Sequence, residues 1–302
     1  VRYKWQNFNF VKAARPVFIA AIILVLAGIV SISVFGMNYG IDFKSGSSVD
    51  ISVSKPVEKA KVEEFLNSED FGKYTFTSGE ERISIRFEEA LTEAQQQKLD
   101  ADFKSKFDES ASFEINIVDV EIAKEQELNA LYGILIASVG IVIYVAIRFE
   151  WRFAISAVIS LLFVAFMVIS IFSFFRLEVN LPFILAILTI IGYSINDTVV
   201  IFDRIRENLR FAKLKTDADL TEVVNTSISQ TLTRSINTVI TVAFAAICLF
   251  AFGSEALKMF SLAMILGLLI GAASSIFIAS PLWHLLRRKA KPHKTAKPQN
   301  AS

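Results

Sequence analysis

In a chain of 302 residues, 53% hydrophobic content, only 20% charged residues and a positive mean hydropathy exclude an ordinary water-soluble globule and point to a membrane protein. The formal net charge of +1 conceals a sorting, since basic residues gather beside apolar runs while most acids lie in one block between Asp42 and Glu127. The single cysteine, Cys248, falls inside an apolar run, which excludes an intrachain disulfide and a cysteine-based metal site.

The chain opens with a basic arm, 1–15, carrying Arg2, Lys4, Lys12 and Arg15 and no acid. The apolar run at 16–36 is longer than a signal-peptide core and ends in Ser-Val-Phe-Gly-Met, which offers no small-x-small cleavage site, so it is expected to stay as a first spanning helix. The segment 37–127 has the composition of a small soluble domain. Val49 to Ser54 alternates as a strand, and Pro56 to Leu66 reads as a helix. Tyr74 to Thr77 and Ile83 to Phe87 flank the turn Ser78-Gly79-Glu80-Glu81 as a hairpin, and a helix over Thr92 to Phe107 opens with a capping box at Thr92 and Gln95. Phe113 to Glu121 alternates as a last strand, completing a βαββαβ, ferredoxin-like order. The domain holds no His, no Cys and no Gly-rich phosphate loop, so nothing in it suggests catalysis.

Five more apolar runs follow within 128–286, at 128–148, 153–175, 181–203, 235–253 and 256–286, each long enough for a hydrocarbon core of about 30 Å. The positive-inside rule orients them. The basic arm, Arg148 and Arg152, the group Arg204, Arg206, Arg210, Lys213 and Lys215, and the tail from Arg287 all fall on one side. That side is read as cytoplasmic, with both termini inside, 37–127 outside and 287–302 a basic cytoplasmic tail that touches anionic lipid. Gly267, Gly271, Ser274 and Ser275 put small residues on the sixth span, a close-packing signal without chemistry. His284 and His293 have no partners at metal-ligand spacing and read as incidental.

The stretch GYSINDTVVIFDRIREN, from Gly192, places a carboxylate inside the fourth span. A central helical carboxylate costs about 2.5–3.5 kcal/mol on insertion scales, so Asp197 is expected to face protein or water. It stands seven residues before Arg204, roughly 10 Å inside the boundary. Thr189, Tyr193, Asn196, Asp197 and Val200 fall near one helical face. On the fifth span Arg234, Asn237, Thr238 and Thr241 share a face, with Arg234 near the inner end. Two readings stay open: a functional pair of Asp197 and Arg234 with Tyr193, Asn196, Thr238 and Thr241 as a supporting polar face, or a structural role in which Asp197 makes a fixed buried ion pair or a packing hydrogen bond and Arg234 is a snorkelling arginine that only marks the interface. Asp203, Arg204, Arg206 and Glu207 read as a solvated helix extension.

The lone domain between spans one and two, Gly40-Ile-Asp-Phe43, the block from Gly192 to Asn208 and Thr231-Leu-Thr-Arg-Ser-Ile-Asn237 together resemble the SecF family of protein-export membrane subunits. The resemblance covers nearly the whole chain. One departure is the family's Asp-Phe-x-Gly-Gly-Thr, which stands here as Asp42-Phe-Lys-Ser-Gly-Ser47. The resemblance implies an α-helical membrane protein of six spans, half of an RND-type bundle, paired with SecD beside the SecYEG channel and the SecA motor in the bacterial plasma (inner) membrane. It implies that Asp197 relays a proton, with Arg234 as the fifth-helix partner, so that the ion gradient promotes export of a translocating preprotein at the outer face. It implies no enzyme activity, cofactor, metal or nucleic-acid partner. The competing readings are a non-conducting scaffold of the translocon and half of a small-molecule exporter.

Overall fold

The computed structural model describes residues 8–40, 42–44, 46–68, 71–79, 82–118, 120–212, 214 and 216–288. Arg2, Lys4, Glu80, Glu81, Asp119, Lys213, Lys215 and the tail from Lys289, with His293, lie outside them.

Six helices are long and apolar enough to cross a membrane. The first is α1, Phe10–Phe35, which starts earlier than the apolar run because Asn9 caps it, accepting from the Lys12 amide at 2.9 Å, while Pro16 is tolerated inside. After the α+β domain come α4 (Val120–Arg148), α5 (Trp151–Phe174), α6 (Leu181–Phe211), α7 (Asp217–Phe252) and α8 (Glu255–Ser274). The sixth span, expected as one helix over 256–286, is interrupted by a π turn at Ser275–Ala279 before α9, Ser280–Arg288. Pro281 brings no backbone donor, so the ladder cannot continue regularly past it, and the Ser280 hydroxyl donates to the Ser275 carbonyl at 2.9 Å across the wider turn.

α7 begins well before the expected 235, because Thr216 and Asp219 form a capping box at its start. α6 likewise runs on past 203 to Phe211. Both extensions carry polar residues beyond the apolar window, which hydropathy alone cannot assign to the same helix.

The α+β domain between α1 and α4 holds β2 (Gly46–Ser52), α2 (Lys59–Ser68), β3 (Tyr74–Ser78), β4 (Arg82–Phe87), α3 (Glu93–Lys106) and β5 (Ser112–Val118). The strand expected over 113–121 ends at Val118, and Val120 already opens α4. All neighbours in the sheet are antiparallel in the order β3-β4-β2-β5, compatible with the expected split βαβ arrangement. Thr92 caps α3 in the expected capping box. Val49, Ile51, Ile83, Ile85 and Phe87 from the strands meet Val62, Phe65 and Leu66 of α2 and Leu99 and Phe103 of α3, forming a core separate from the bundle. Burial of each such side chain contributes about 1.5–3 kcal/mol.

Gly46 has φ +152, and a Cβ there would collide with the Phe87 carbonyl, so the second glycine position of the family motif requires glycine where the chain enters β2.

A short seam seats the domain on the bundle. β1, Asn38–Tyr39, pairs in parallel with β6, Glu178–Val179, in the α5–α6 connection. Asp42 accepts from the Leu181 amide at 2.7 Å at the start of α6. Arg86 of β4 donates to Glu178 at 3.2 Å, and Arg82 donates to the Gly253 carbonyl at 2.7 Å. Pairs of two residues are too short to register as strands in a hydrophobic pattern.

Within the bundle α5, α6 and the sixth span are the most enclosed, while α1, α4 and α7 lie at the periphery. Near the end away from the domain, Phe153 stacks on Trp283 at 4.5 Å and packs on Phe202 at 4.8 Å.

Candidate functional site

Asp197 and Arg234 are brought together by α6 and α7 crossing over α8. Gly267 has no side chain to hold the helices apart: a Cβ there would overlap Ile190 of α6. Gly271 lies against Ser194, one turn further along. This close approach leaves a cavity of about 20 Å³, room for about one water molecule. Its wall includes Tyr193, Asn196, Asp197 and Val200 of α6 with Arg234, Ser235 and Thr238 of α7.

The Asp197 carboxyl is half-buried. Its Oδ1 accepts a hydrogen bond from the Ser235 hydroxyl, and its Oδ2 is buried without a hydrogen-bond partner among the described residues. Arg234 and Ser275 are its further polar neighbours. Ser275 shares a 2.8 Å hydrogen bond with Thr198, whose hydroxyl also donates to the Ser194 carbonyl at 2.9 Å. The π turn thus aligns hydroxyls from the sixth span with α6.

Arg234 lines the same cavity but is exposed, and no ion pair within 4 Å joins it to Asp197. Because α7 starts at Asp217, Arg234 stands near the middle of its helix instead of near the inner end. Tyr193 and Asn196 line the cavity from exposed positions. Thr238 lines it too, although its hydroxyl is used on the Arg234 carbonyl at 2.9 Å. Thr241 stands apart from the cavity, exposed and bonded to the Thr238 carbonyl at 2.9 Å, and Thr189 is likewise outside it, bonded to Leu185. Both hydroxyls satisfy themselves within their own helix, so a shared face in a helical projection does not bring them to the site.

The sequence reading passed over Ser235 as a site residue and took Ser275 only as a small packing residue. The signal was present for Ser235: Ser227, Thr231 and Ser235 recur every four residues and are all buried, a small hydroxyl stripe beside the exposed stripe that contains Arg234. Ser275 is brought in by the π turn, for which the sequence holds only the following proline as a hint. Asp203 pairs with Arg206 at 2.7 Å and with Arg148 of α4 at 3.1 Å, tying two helix ends together in a half-exposed cluster. His284 is not incidental. It is buried, with Nε2 at 3.1 Å from Thr221 and 3.6 Å from Asp217. Among the described residues no group of three His, Cys, Asp or Glu side chains comes together to hold a metal ion.

A family model described as protein export membrane protein SecD/SecF, C-terminal, matches residues 98–289, and one for the SecD/SecF GG motif matches 30–57. The protein translocase subunit SecF of Alicyclobacillus acidocaldarius is 42% identical over 290 residues, covering 94% of this chain and 94% of that one. The protein translocase subunit SecDF of Bacillus subtilis is 42% identical over 282 residues, covering 92% of this chain and 38% of that protein. The crystal structure of SecDF from Thermus thermophilus, a translocon-associated membrane protein, superposes with a TM-score of 0.82 at 30% identity, over 93% of this chain and 39% of that chain. SecDF in a super-membrane-facing form superposes with a TM-score of 0.64 at 29% identity. This chain spans about two fifths of either SecDF relative.

Proposed function

Since this chain belongs to the SecD/SecF family of protein-export membrane proteins, we propose that it is the SecF half of a SecD–SecF pair that uses an ion gradient to promote preprotein export. The family is one of protein translocase subunits, and the relatives named SecDF are longer chains of which this one matches about two fifths. The carrying observation is the Asp197 carboxyl, bonded through one oxygen to Ser235, with Ser275 as a further polar neighbour, in a cavity with an arginine that forms no ion pair with it within 4 Å. A carboxyl locked in an ion pair has no reason to change its charge; one held by a hydroxyl beside a free arginine can take and release a proton. The missing direct pair favours this relay over the fixed-scaffold reading.

The α6–α7 face supports a partner. Tyr193, Asn196, Arg234 and Asn237 are exposed on membrane helices. An arginine left to hydrocarbon costs about 2.5–3.5 kcal/mol or more, whereas a second bundle can pair with it. SecD is the proposed occupant, with the SecYEG channel and the SecA motor as neighbours. Orientation follows from charge: Arg148, Arg152, Arg204, Arg206, Arg210, Arg287 and Arg288 gather at the bundle end away from the domain. That end is therefore taken as cytoplasmic in a bacterial inner membrane, and the domain as outside. One charge crossing 100 mV supplies about 2.3 kcal/mol, roughly a fiftyfold shift of a two-state equilibrium. This suffices to bias the domain's position and ratchet an unfolded chain, but not to unfold a folded one.

The test is ion flux in vesicles containing this chain and SecD, comparing wild type with Asp197→Asn. Asparagine keeps the size and the acceptor for Ser235 but cannot release a proton. The expected result is unchanged protein level and SecD association with gradient-driven flux lost. Flux equal to wild type removes Asp197 from the relay; a scarce or dissociated protein returns it to a structural role.

A further inference from the structure

We propose that the corner where α1, α7 and α9 meet, at the bundle end away from the domain, binds the head group of an anionic glycerophospholipid that carries a hydroxyl. The corner encloses a cavity of about 220 Å³ far from Asp197 along the helices. Its polar wall includes Lys12, Arg15, Asp217, His284 and Arg288. Three cations thus face one carboxylate. Asp217 is already engaged by Arg288 at 3.3 Å and His284 at 3.6 Å, whereas Lys12 and Arg15 form no ion pair among the described residues. The cavity also borders the first turn of α1, whose Val11 and Lys12 amides are taken by Asn225 and Asn9, so that what favours an anion there is the dipole of a 26-residue helix with no acid in that turn.

His284 supplies the independent indication that a ligand belongs here. It is 3% exposed, and its Nδ1 is buried with no hydrogen-bond partner among the described residues. The Thr221 hydroxyl spends its hydrogen on the Asp217 carbonyl at 2.9 Å, so at the 3.1 Å contact between Thr221 and Nε2 the ring donates. In the neutral ring Nδ1 is then an acceptor without a donor, a costly state for a buried atom. A head-group hydroxyl that displaces the atoms covering it would satisfy it while the phosphate meets Lys12 and Arg15. A free phosphate offers the same charge, but two features favour a lipid. The apolar run begins directly after Arg15, which sets the cations at head-group level, and Phe18 with the exposed Leu285 extends the wall as a track for an acyl chain.

The experiment is native mass spectrometry of the full chain in detergent, titrated with dioleoyl phosphatidylglycerol, dioleoyl phosphatidylcholine, dioleoyl phosphatidylmethanol or inorganic phosphate. One phosphatidylglycerol should be retained in preference to phosphatidylcholine, and retention should fall roughly fivefold with each of Lys12→Gln and Arg15→Gln. These side chains are exposed, so their loss leaves the fold intact. Phosphatidylglycerol should also outcompete phosphatidylmethanol, which has no head-group hydroxyl, and His284→Phe should abolish that preference. Equal retention of phosphatidylglycerol and phosphatidylcholine, or no change in Lys12→Gln with Arg15→Gln, overturns the proposal. Occupancy by inorganic phosphate that displaces the lipid overturns the lipid assignment. Should His284→Phe fail to fold, the two cation variants decide the matter alone.

Discussion

Substituting alanine at two glycines of the same helix should give opposite results. At Gly267 the added Cβ would lie 2.5 Å from Ile190 Cγ1 and 2.6 Å from its Cγ2, against the roughly 3.5–4.0 Å of an ordinary carbon contact. Ile190 is 1% exposed and packed on every side, so it cannot swing away. α6 and α8 must therefore separate locally, at a cost of about 1–3 kcal/mol for overpacking. At Gly271 the nearest atom is Ser194 Cβ at 3.4 Å, an ordinary contact, and Gly271→Ala should be close to neutral or gain a few tenths from helix propensity. Ile190→Ala alone should cost about 2–5 kcal/mol as a cavity, and combined with Gly267→Ala it should cost less than the sum, with a coupling of about 0.5–3 kcal/mol. The assay is reversible unfolding of the full chain in mixed micelles, read by tryptophan fluorescence or by steric trapping. Equal effects at Gly267 and Gly271, or additivity of Gly267→Ala with Ile190→Ala, would refute the packing account of the site.

Phe103→Ala removes a fully buried ring from the α+β domain's core and should cost about 3–5 kcal/mol, a large part of a small domain's stability; limited proteolysis of the full chain should then cut within 46–118 while the bundle survives. Gly46→Ala places a Cβ against the Phe87 carbonyl at φ +152 and should cost about 1–3 kcal/mol, read as faster amide exchange in β2 and β4. Asp108 is held below the usual carboxylate range, first by the Ser110 hydroxyl and then by the Ser54 and Ser110 amides. Its folded value lies below the unfolded one, so its contribution is complete above about pH 4 and fades as pH falls through the folded value. Protection of the Ser54 amide should follow that course in wild type, and Asp108→Asn should remove the dependence.

Six apolar helices, their order around an α+β domain, the Asp197 carboxylate and the sorting of arginines were all legible from the chain, because each rests on local composition or on a short contiguous motif. Thr92 and Gln95 announced the start of α3 for the same reason: a capping box is satisfied within four residues. The helix extension before Arg234 was not legible, since hydropathy marks what lipid tolerates and not where a backbone ladder ends, whereas the extension after Asp203 was read without its end at Phe211. The same limit explains Thr241, which shares a projected face with Arg234 yet stands outside the cavity, and Ser235, which lies beside Arg234 in the chain and reaches Asp197 instead. Which side of a helix meets which neighbour depends on crossing geometry, and here Gly267 against Ile190 decides it. The burial of His284 belongs to this second kind: a lone histidine near a basic tail has no visible partner until α9 folds against α7 and supplies Thr221 and Asp217 from more than sixty residues away. Sequence fixes what each segment is made of and where it can reside; contacts between distant segments assign each polar group its partner or leave it without one.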